Sequence, residues 1–308
     1  MPLKIVFMGT PDFAVPCLER IIADGSDVVG VFCQPDRPKG RGMATQYPPV
    51  KQAALQRGIP VFQPLTLKDG EAFEILRGLS PDLIIVVAYG RILPVQILEL
   101  PPVGCINVHA SLLPRWRGAA PIQWSVISGD DFTGVTTLHM SETLDAGDII
   151  LTQQTPIAPD ETAGQLFERL SVMGAELLAQ TILRLEDGSA PRIPQDDALV
   201  TFAPPIQKNM SRLDFAATPA DFCNFVRGMA PSPGTFAQFA GVPVKIHKAV
   251  PVDGFNGVPG EILHPKRLVV ACGDGAVELL TVQPQGKKPM DGRAWRNGLR
   301  GVDGEAFS

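Results

Sequence analysis

Asp82-Leu83-Ile84-Ile85-Val86-Val87-Ala88 is the stretch that decides the fold. Every residue after Asp82 is apolar and most are β-branched, so neither side of the segment can face water. A strand of this kind lies in the middle of a parallel sheet with helices over both faces. Upstream, Lys4 to Met8 is a second short apolar run, closed by Gly9-Thr10-Pro11. Phe13 to Ile22 then takes helical spacing, with Pro11 suited to a first turn. Strand-like Val28 to Cys33 and Val61 to Phe62 alternate with helical Val50 to Gln56 and Asp69 to Leu79. Such alternation specifies an α/β domain built on a parallel sheet.

Downstream, Cys105 to His109 is the next strand, unusual in carrying two polar side chains near its end. Thr133 to Met140 and Ile149 to Ile157 are two more strands, and Thr162 to Leu185 is a long helix with Gly188 just beyond it. Residues 1–188 therefore form the first domain. Residues 189–205 are rich in proline and small side chains without an apolar period, and are expected to be a linker. In 206–308 a helix over Pro219 to Arg227 precedes short strands at Phe236 to Phe239, Val242 to Ala249, Gly257 to Leu263, Leu268 to Cys272 and Val277 to Val282. Strands so short and so spaced suggest a small barrel or sandwich.

The chain has 308 residues, 45% of them hydrophobic and 19% charged, a composition that fits two ordinary globular domains. No apolar run reaches the length of a signal-peptide core or a membrane span, so a soluble, unexported protein is expected. Five cysteines without a Cys-x-x-Cys pair support neither a disulfide framework nor a zinc site, which fits a reducing cytoplasm. The net charge of −5 is unevenly spread: residues 1–200 hold 15 Lys and Arg against 23 Asp and Glu, and 201–308 hold 12 against 9. The basic C-terminal part either offers a surface to phosphates or reflects ordinary scatter of surface charge.

Gly9-Thr10-Pro11-Asp12-Phe13-Ala14 occupies the place of a dinucleotide-binding loop but lacks the second and third glycines that let a pyrophosphate approach, which argues against a nicotinamide cofactor. There is no P-loop motif and no Gly-x-Ser-x-Gly elbow. The chemistry is left to the end of the strand Cys105 to His109. Side chains alternate along a strand, so Asn107 and His109 point to one side, at the carboxyl end where α/β sheets bind ligands. An amide donor beside an imidazole can polarise a carbonyl and hold the oxyanion formed on attack, an acyl transfer without a covalent nucleophile. Leu144-Asp145-Ala146-Gly147-Asp148 supplies an orienting carboxylate. Asp145 is assigned that part, because Asp148 stands at a strand start where exposed turn residues are common. Asn, His and Asp without further ligands fall short of a metal site. His139, His247 and His264 are expected to be structural or on the surface.

Asn107-Val108-His109, then Ser111-Leu112-Leu113-Pro114-Arg115-Trp116-Arg117-Gly118-Ala119-Ala120-Pro121-Ile122-Gln123, then Leu144 to Asp148, closely resemble the methionyl-tRNA formyltransferase family. Phe7 to Ala14, Gln34 to Gly42, Val86 to Gly90 and Gln283 to Lys288 extend the similarity over nearly the whole chain. The resemblance implies a Rossmann-like, mostly parallel sheet that binds 10-formyltetrahydrofolate and a C-terminal OB-like barrel that helps to hold initiator methionyl-tRNA. It implies Asn107, His109 and Asp145 as catalytic residues. It places folate contacts at Ser111, Leu112, Leu113 and Pro114, with Tyr89 and Gly90 bordering the pterin. Arg37, Lys39 and Arg41 fall in the family's tRNA-contacting insertion, where basic side chains meet phosphates and Gly40 and Gly42 let the loop fold onto a partner. Lys287 and Lys288, with Arg293, Arg296 and Arg300 behind them, are further candidates for backbone contacts. A cytoplasmic monomer is expected. The alternatives are a formyltransferase for a small amine, such as a nucleotide or amino sugar, and a non-catalytic RNA-binding protein.

Overall fold

The computed structural model describes residues 2–39, 44–299 and 306–308. The chain divides into two compact units, the first made of residues 1–121, 133–155 and 167–203, the second of 122–132, 156–166 and 204–308.

The first unit opens with β1 (Lys4–Gly9), α1 (Val15–Ala23) and β2 (Asp27–Phe32), followed by β3 (Arg37–Lys39) and β4 (Ala44–Gln46), which pair antiparallel. α2 (Pro49–Gln56), β5 (Val61–Phe62), α3 (Glu71–Leu79), β6 (Leu83–Val87), α4 (Val95–Leu98) and β7 (Gly104–His109) continue the alternation. A two-residue β8 (Arg117–Gly118), α5 (Pro121–Ile127), β9 (Phe132–His139), β10 (Ile149–Pro156), α6 (Ala163–Glu186) and a two-residue β11 (Phe202–Ala203) complete it. Seven strands form one sheet in the order β10-β9-β7-β6-β1-β2-β5. The pairs from β5 to β7 are parallel, and β9 runs antiparallel to β7.

All five residues of β6 are buried, as its two apolar faces require. Val6, Met8, Ile84 and Val86 join one core with Phe32, Leu76 and Tyr89. The alternating Ile5 and Phe7, also fully buried, belong to the opposite face. There α6 comes close enough that a Cβ on Gly174 would lie 3.1 Å from Val108. Phe13 meets Phe167 edge to face at 5.3 Å, which fixes the start of α1 against the same helix. The chain leaves β1 toward β2 on one side and later returns to β6 on the other, so a crevice opens beyond the carboxyl ends of β1 and β6.

In the second unit α7 (Pro219–Gly228) precedes β12 (Thr235–Phe239), β13 (Val242–Val252), β14 (Val269–Cys272), β15 (Gly275–Pro284), β16 (Met290–Asp291) and α8 (Gly292–Gly298). The strands form an antiparallel half-barrel, ordered β12-β13-β15-β14 with β16 on β15. Phe215, Phe222, Phe239, Trp295 and Phe307 pack in its core. Thr218 caps α7 by accepting from the Asp221 N–H. Glu278 is buried on β15 between Arg267 at 2.6 Å and Arg293 at 3.3 Å. The hydrogen bond from Arg267 holds its carboxyl below the ordinary glutamate range.

One expected strand does not form. Gly257 to Leu263 is not a strand: only single bridges form at Glu261 and Ile262, because Pro259 and a left-handed Gly260 turn the backbone. Residues 189–205 lack secondary structure for much of their length, as a linker would, yet as far as Ala203 they lie within the first unit. Polar side chains and short pairings hold them there, which leaves no apolar period to read.

Candidate active site

Asn107 and His109 stand on one side of β7, with Val108 turned to α6 between them, and both reach Asp145 in the connection from β9 to β10. Asn107 Nδ2 donates to Asp145 Oδ1 over a long 3.4 Å. His109 Nδ1 lies 3.7 Å from Asp145 Oδ2, beyond hydrogen-bond distance, with the two side chains 6% and 9% exposed. His109 Nε2 is 2.8 Å from the Trp116 carbonyl oxygen. A carbonyl only accepts, so that nitrogen carries a proton and Nδ1 is the position open to exchange. Asp145 Oδ2 accepts from the Gly118 N–H at 2.9 Å. Short hydrogen bonds tie the site to backbone, whereas the contacts of Asp145 with Asn107 and His109 are longer.

The turn after β7 is fixed from inside. Thr136, cross-strand from His109, donates to the Ser111 carbonyl at 2.7 Å and accepts from the Leu113 N–H at 3.2 Å. The Ser111 hydroxyl is fully buried and donates to the Arg115 carbonyl, and Leu113 packs with Leu138 and Ile149. Pro114 follows a cis peptide bond. Ser111 and Leu113 thus shape the turn, while Leu112 and Pro114 are partly exposed on it. Gly118 has φ 124°, and a Cβ there would come within 2.7 Å of the Ala203 carbonyl oxygen, because β8 pairs with β11. Only glycine brings its N–H to Asp145 along that path.

Tyr89 and Gly90 line a cleft of about 1050 Å³ at the β1–β6 crevice, with Thr10, Pro11, Gln34, Tyr47 and Gln52. Its described lining includes none of Asn107, His109 and Asp145. Gln34 Nε2 and Thr10 Oγ1 both donate to the Tyr89 carbonyl. The Tyr89 ring is in the core, and burial pushes its hydroxyl up to about 12. Ala88 and Gly90 have φ of 48° and 78°, so the backbone leaves strand geometry where it borders the cleft.

Arg37 is exposed on β3 and lines the same cleft. The Lys39 side chain, Arg41, Gly40, Gly42 and Arg300 lie outside the described residues. Lys287 and Lys288 are exposed just after β15. Arg293 is engaged with Glu278, and Arg296 with the His264 carbonyl. Asp148 pairs at 3.6 Å with Arg192. His139 is buried, and desolvation lowers its pKa. Among the described residues, no three His, Cys, Asp or Glu gather to hold a metal, and no helix is long and apolar enough to cross a membrane.

Sequence reasoning did not single out Gln195, Thr201, Arg117 or Gly118. Gln195 Nε2 donates at 2.8 Å to the carbonyls of both Asp145 and Gly147, and its Oε1 accepts from Arg117 Nε at 3.0 Å. Thr201 Oγ1 accepts from the Trp116 N–H. Arg117 and Gly118 lie inside the quoted motif, but a lone Gln in a proline-rich stretch looks like any solvated polar residue.

A carbonyl-polarising pair without a covalent nucleophile suits transfer of a small acyl group, and family models make the class specific. That of the formyl transferases matches residues 3–182, and that of the formyl transferase C-terminal domain matches residues 205–300. The methionyl-tRNA formyltransferase of Geotalea uraniireducens is 49% identical over 290 residues, 94% of this chain and 92% of that protein. That of Agathobacter rectalis is 45% identical over 309 residues, 99% of this chain and 100% of that protein. The chain belongs to the methionyl-tRNA formyltransferase family. Among solved structures, HypX from Aquifex aeolicus in complex with tetrahydrofolic acid superposes with a TM-score of 0.62 at 18% identity, over 96% of this chain and 47% of that one. WlaRD, a sugar 3N-formyl transferase solved with dTDP and 5-N-formyl-THF present, gives 0.70 at 18% identity over 94% and 100%. At such identity the two speak to the fold alone.

Proposed function

We propose that this protein transfers the formyl group of 10-formyltetrahydrofolate to the α-amine of methionyl initiator tRNA, with Asn107, His109 and Asp145 as the catalytic residues. Near-full-length identity of 45–49% to methionyl-tRNA formyltransferases carries this reading. The neutral amine nitrogen bonds to the formyl carbon, the bond from that carbon to the folate nitrogen breaks, and one proton passes from the amine to the departing nitrogen. Asn107 Nδ2 and a protonated His109 Nδ1 donate to the formyl oxygen as it gains charge. Asp145 balances the imidazole and receives the amine proton. The backbone at Ala88 to Gly90, turned out of the sheet ladder, offers a planar pteridine peptide donors and acceptors, and Ser111, Leu112, Leu113 and Pro114 supply further folate contacts. Arg37, Lys39, Arg41, Lys287 and Lys288 supply charge for tRNA phosphates.

The test is release of tetrahydrofolate with formyl donor and methionyl-tRNA supplied together and separately. Wild-type protein is expected to turn over only with both, and His109→Ala to lose about 10²–10⁴-fold in kcat with KM values little changed. Turnover with a nucleotide-linked amino sugar in place of the tRNA would overturn the acceptor. Normal kcat in His109→Ala would overturn the site.

A further inference from the structure

We infer that Gln195 is a positioning residue for the transfer, and that Arg117 sets its orientation. The inference rests on the function proposed above. Asp145 sits at φ 51° in the left-handed region, a conformation that persists in a non-glycine residue only when its surroundings enforce it. One amide does much of the enforcing. Gln195 Nε2 holds the carbonyls of Asp145 and Gly147, each at 2.8 Å, and so spans the bend that carries the carboxylate. The far side of that bend is pressed inward, since a Cβ on Gly147 would fall 1.8 Å from the His139 carbonyl oxygen.

The orientation of the amide is determined by its partners. Arg117 Nε can only donate and the two carbonyls can only accept, so the flipped amide would set donor against donor and oxygen against two oxygens. Arg117 is 6% exposed, and its backbone N–H donates to the Thr201 carbonyl. It stands between Trp116, whose carbonyl accepts from His109 Nε2, and Gly118, whose N–H donates to Asp145. Gln195 therefore joins the two segments that determine how Asp145 faces His109 and Asn107, without reaching the reacting atoms.

Gln195→Ala is expected to lower kcat on the order of 10²-fold, the effect of a displacement near 1 Å at a reacting group, with both KM values within about threefold of wild type. In an Asp145→Ala background the same change should cost nothing further, because a residue acting through Asp145 has nothing left to position. Gln195→Glu keeps the acceptor for Arg117 but sets a negative oxygen against two carbonyls. Its kcat relative to wild type should rise as pH falls and the carboxyl regains a donor proton. Thermal melting is followed in parallel, and the glutamate variant carries the test if the alanine variant does not fold. Wild type without formylation would overturn the function proposed above. An active wild type with an equally active Gln195→Ala, a full multiplicative loss in the double variant, or a pH-independent Gln195→Glu ratio would each overturn this inference alone.

Discussion

Asp145 has four defined demands on it: two donors on its carboxylate, from Gly118 and Asn107, the imidazole of His109, and the amide clamp on its carbonyl. Asp145→Asn keeps the shape but must turn an NH₂ toward Gly118 N–H or toward Asn107 Nδ2, donor against donor in either case. Its kcat is expected to fall about 10³-fold with KM nearly unchanged, measured by steady-state formylation. A loss confined to KM would show that the carboxylate binds substrate and takes no part in transfer. Asn107 and His109 stood out as candidates in the sequence because polar side chains at the end of a buried strand have few structural excuses, and Asp145 because a carboxylate in a tight loop can orient an imidazole. Gln195 was not, because its importance lies in partners 50 and 78 positions away, and separations of that kind leave no local pattern.

At the scale of elements, sequence periodicity works where an element buries a face. β1, β2, β6 and β7 and the helices α1, α3, α6 and α7 lie where their patterns place them, to within a few residues. The capping pair Thr162 and Gln165, each bonding the other's backbone N–H, starts α6. α5 and α8 escaped notice because each is only seven residues long, too short for a helical period to repeat. β15 makes its own prediction through Glu278. The folded carboxyl titrates below its ordinary value of 4.5, so the unfolded chain takes up its proton first as pH falls. The ion pairs thus stabilise the half-barrel fully above the ordinary glutamate range, and that contribution is lost as pH drops through the lower, folded value. Urea titrations from about pH 6 to pH 3 should show the loss. Glu278→Gln, costing about 1–3 kcal/mol near neutrality, should flatten the acid limb. An unchanged limb would place the acid sensitivity elsewhere.

For the molecule as a whole, the first family model stops at residue 182 and the second begins at residue 205, and Gln195, which holds the Asp145 loop, lies in the gap. Replacing residues 189–203 by a glycine-serine stretch of equal length leaves Asn107, His109 and Asp145 in place, yet kcat is expected to fall at least as far as in Gln195→Ala. A variant that keeps kcat would show that the stretch only connects. The resemblance made the fold of both parts legible, but a tract without periodicity, read as a linker, lies within the first unit as far as Ala203. Recombination between relatives therefore has an uneven cost along this chain. A crossover after Gly188 pairs one ancestor's Arg117 with another's Gln195, whereas one after Ala203 keeps Arg117, Asp145 and Gln195 from a single ancestor.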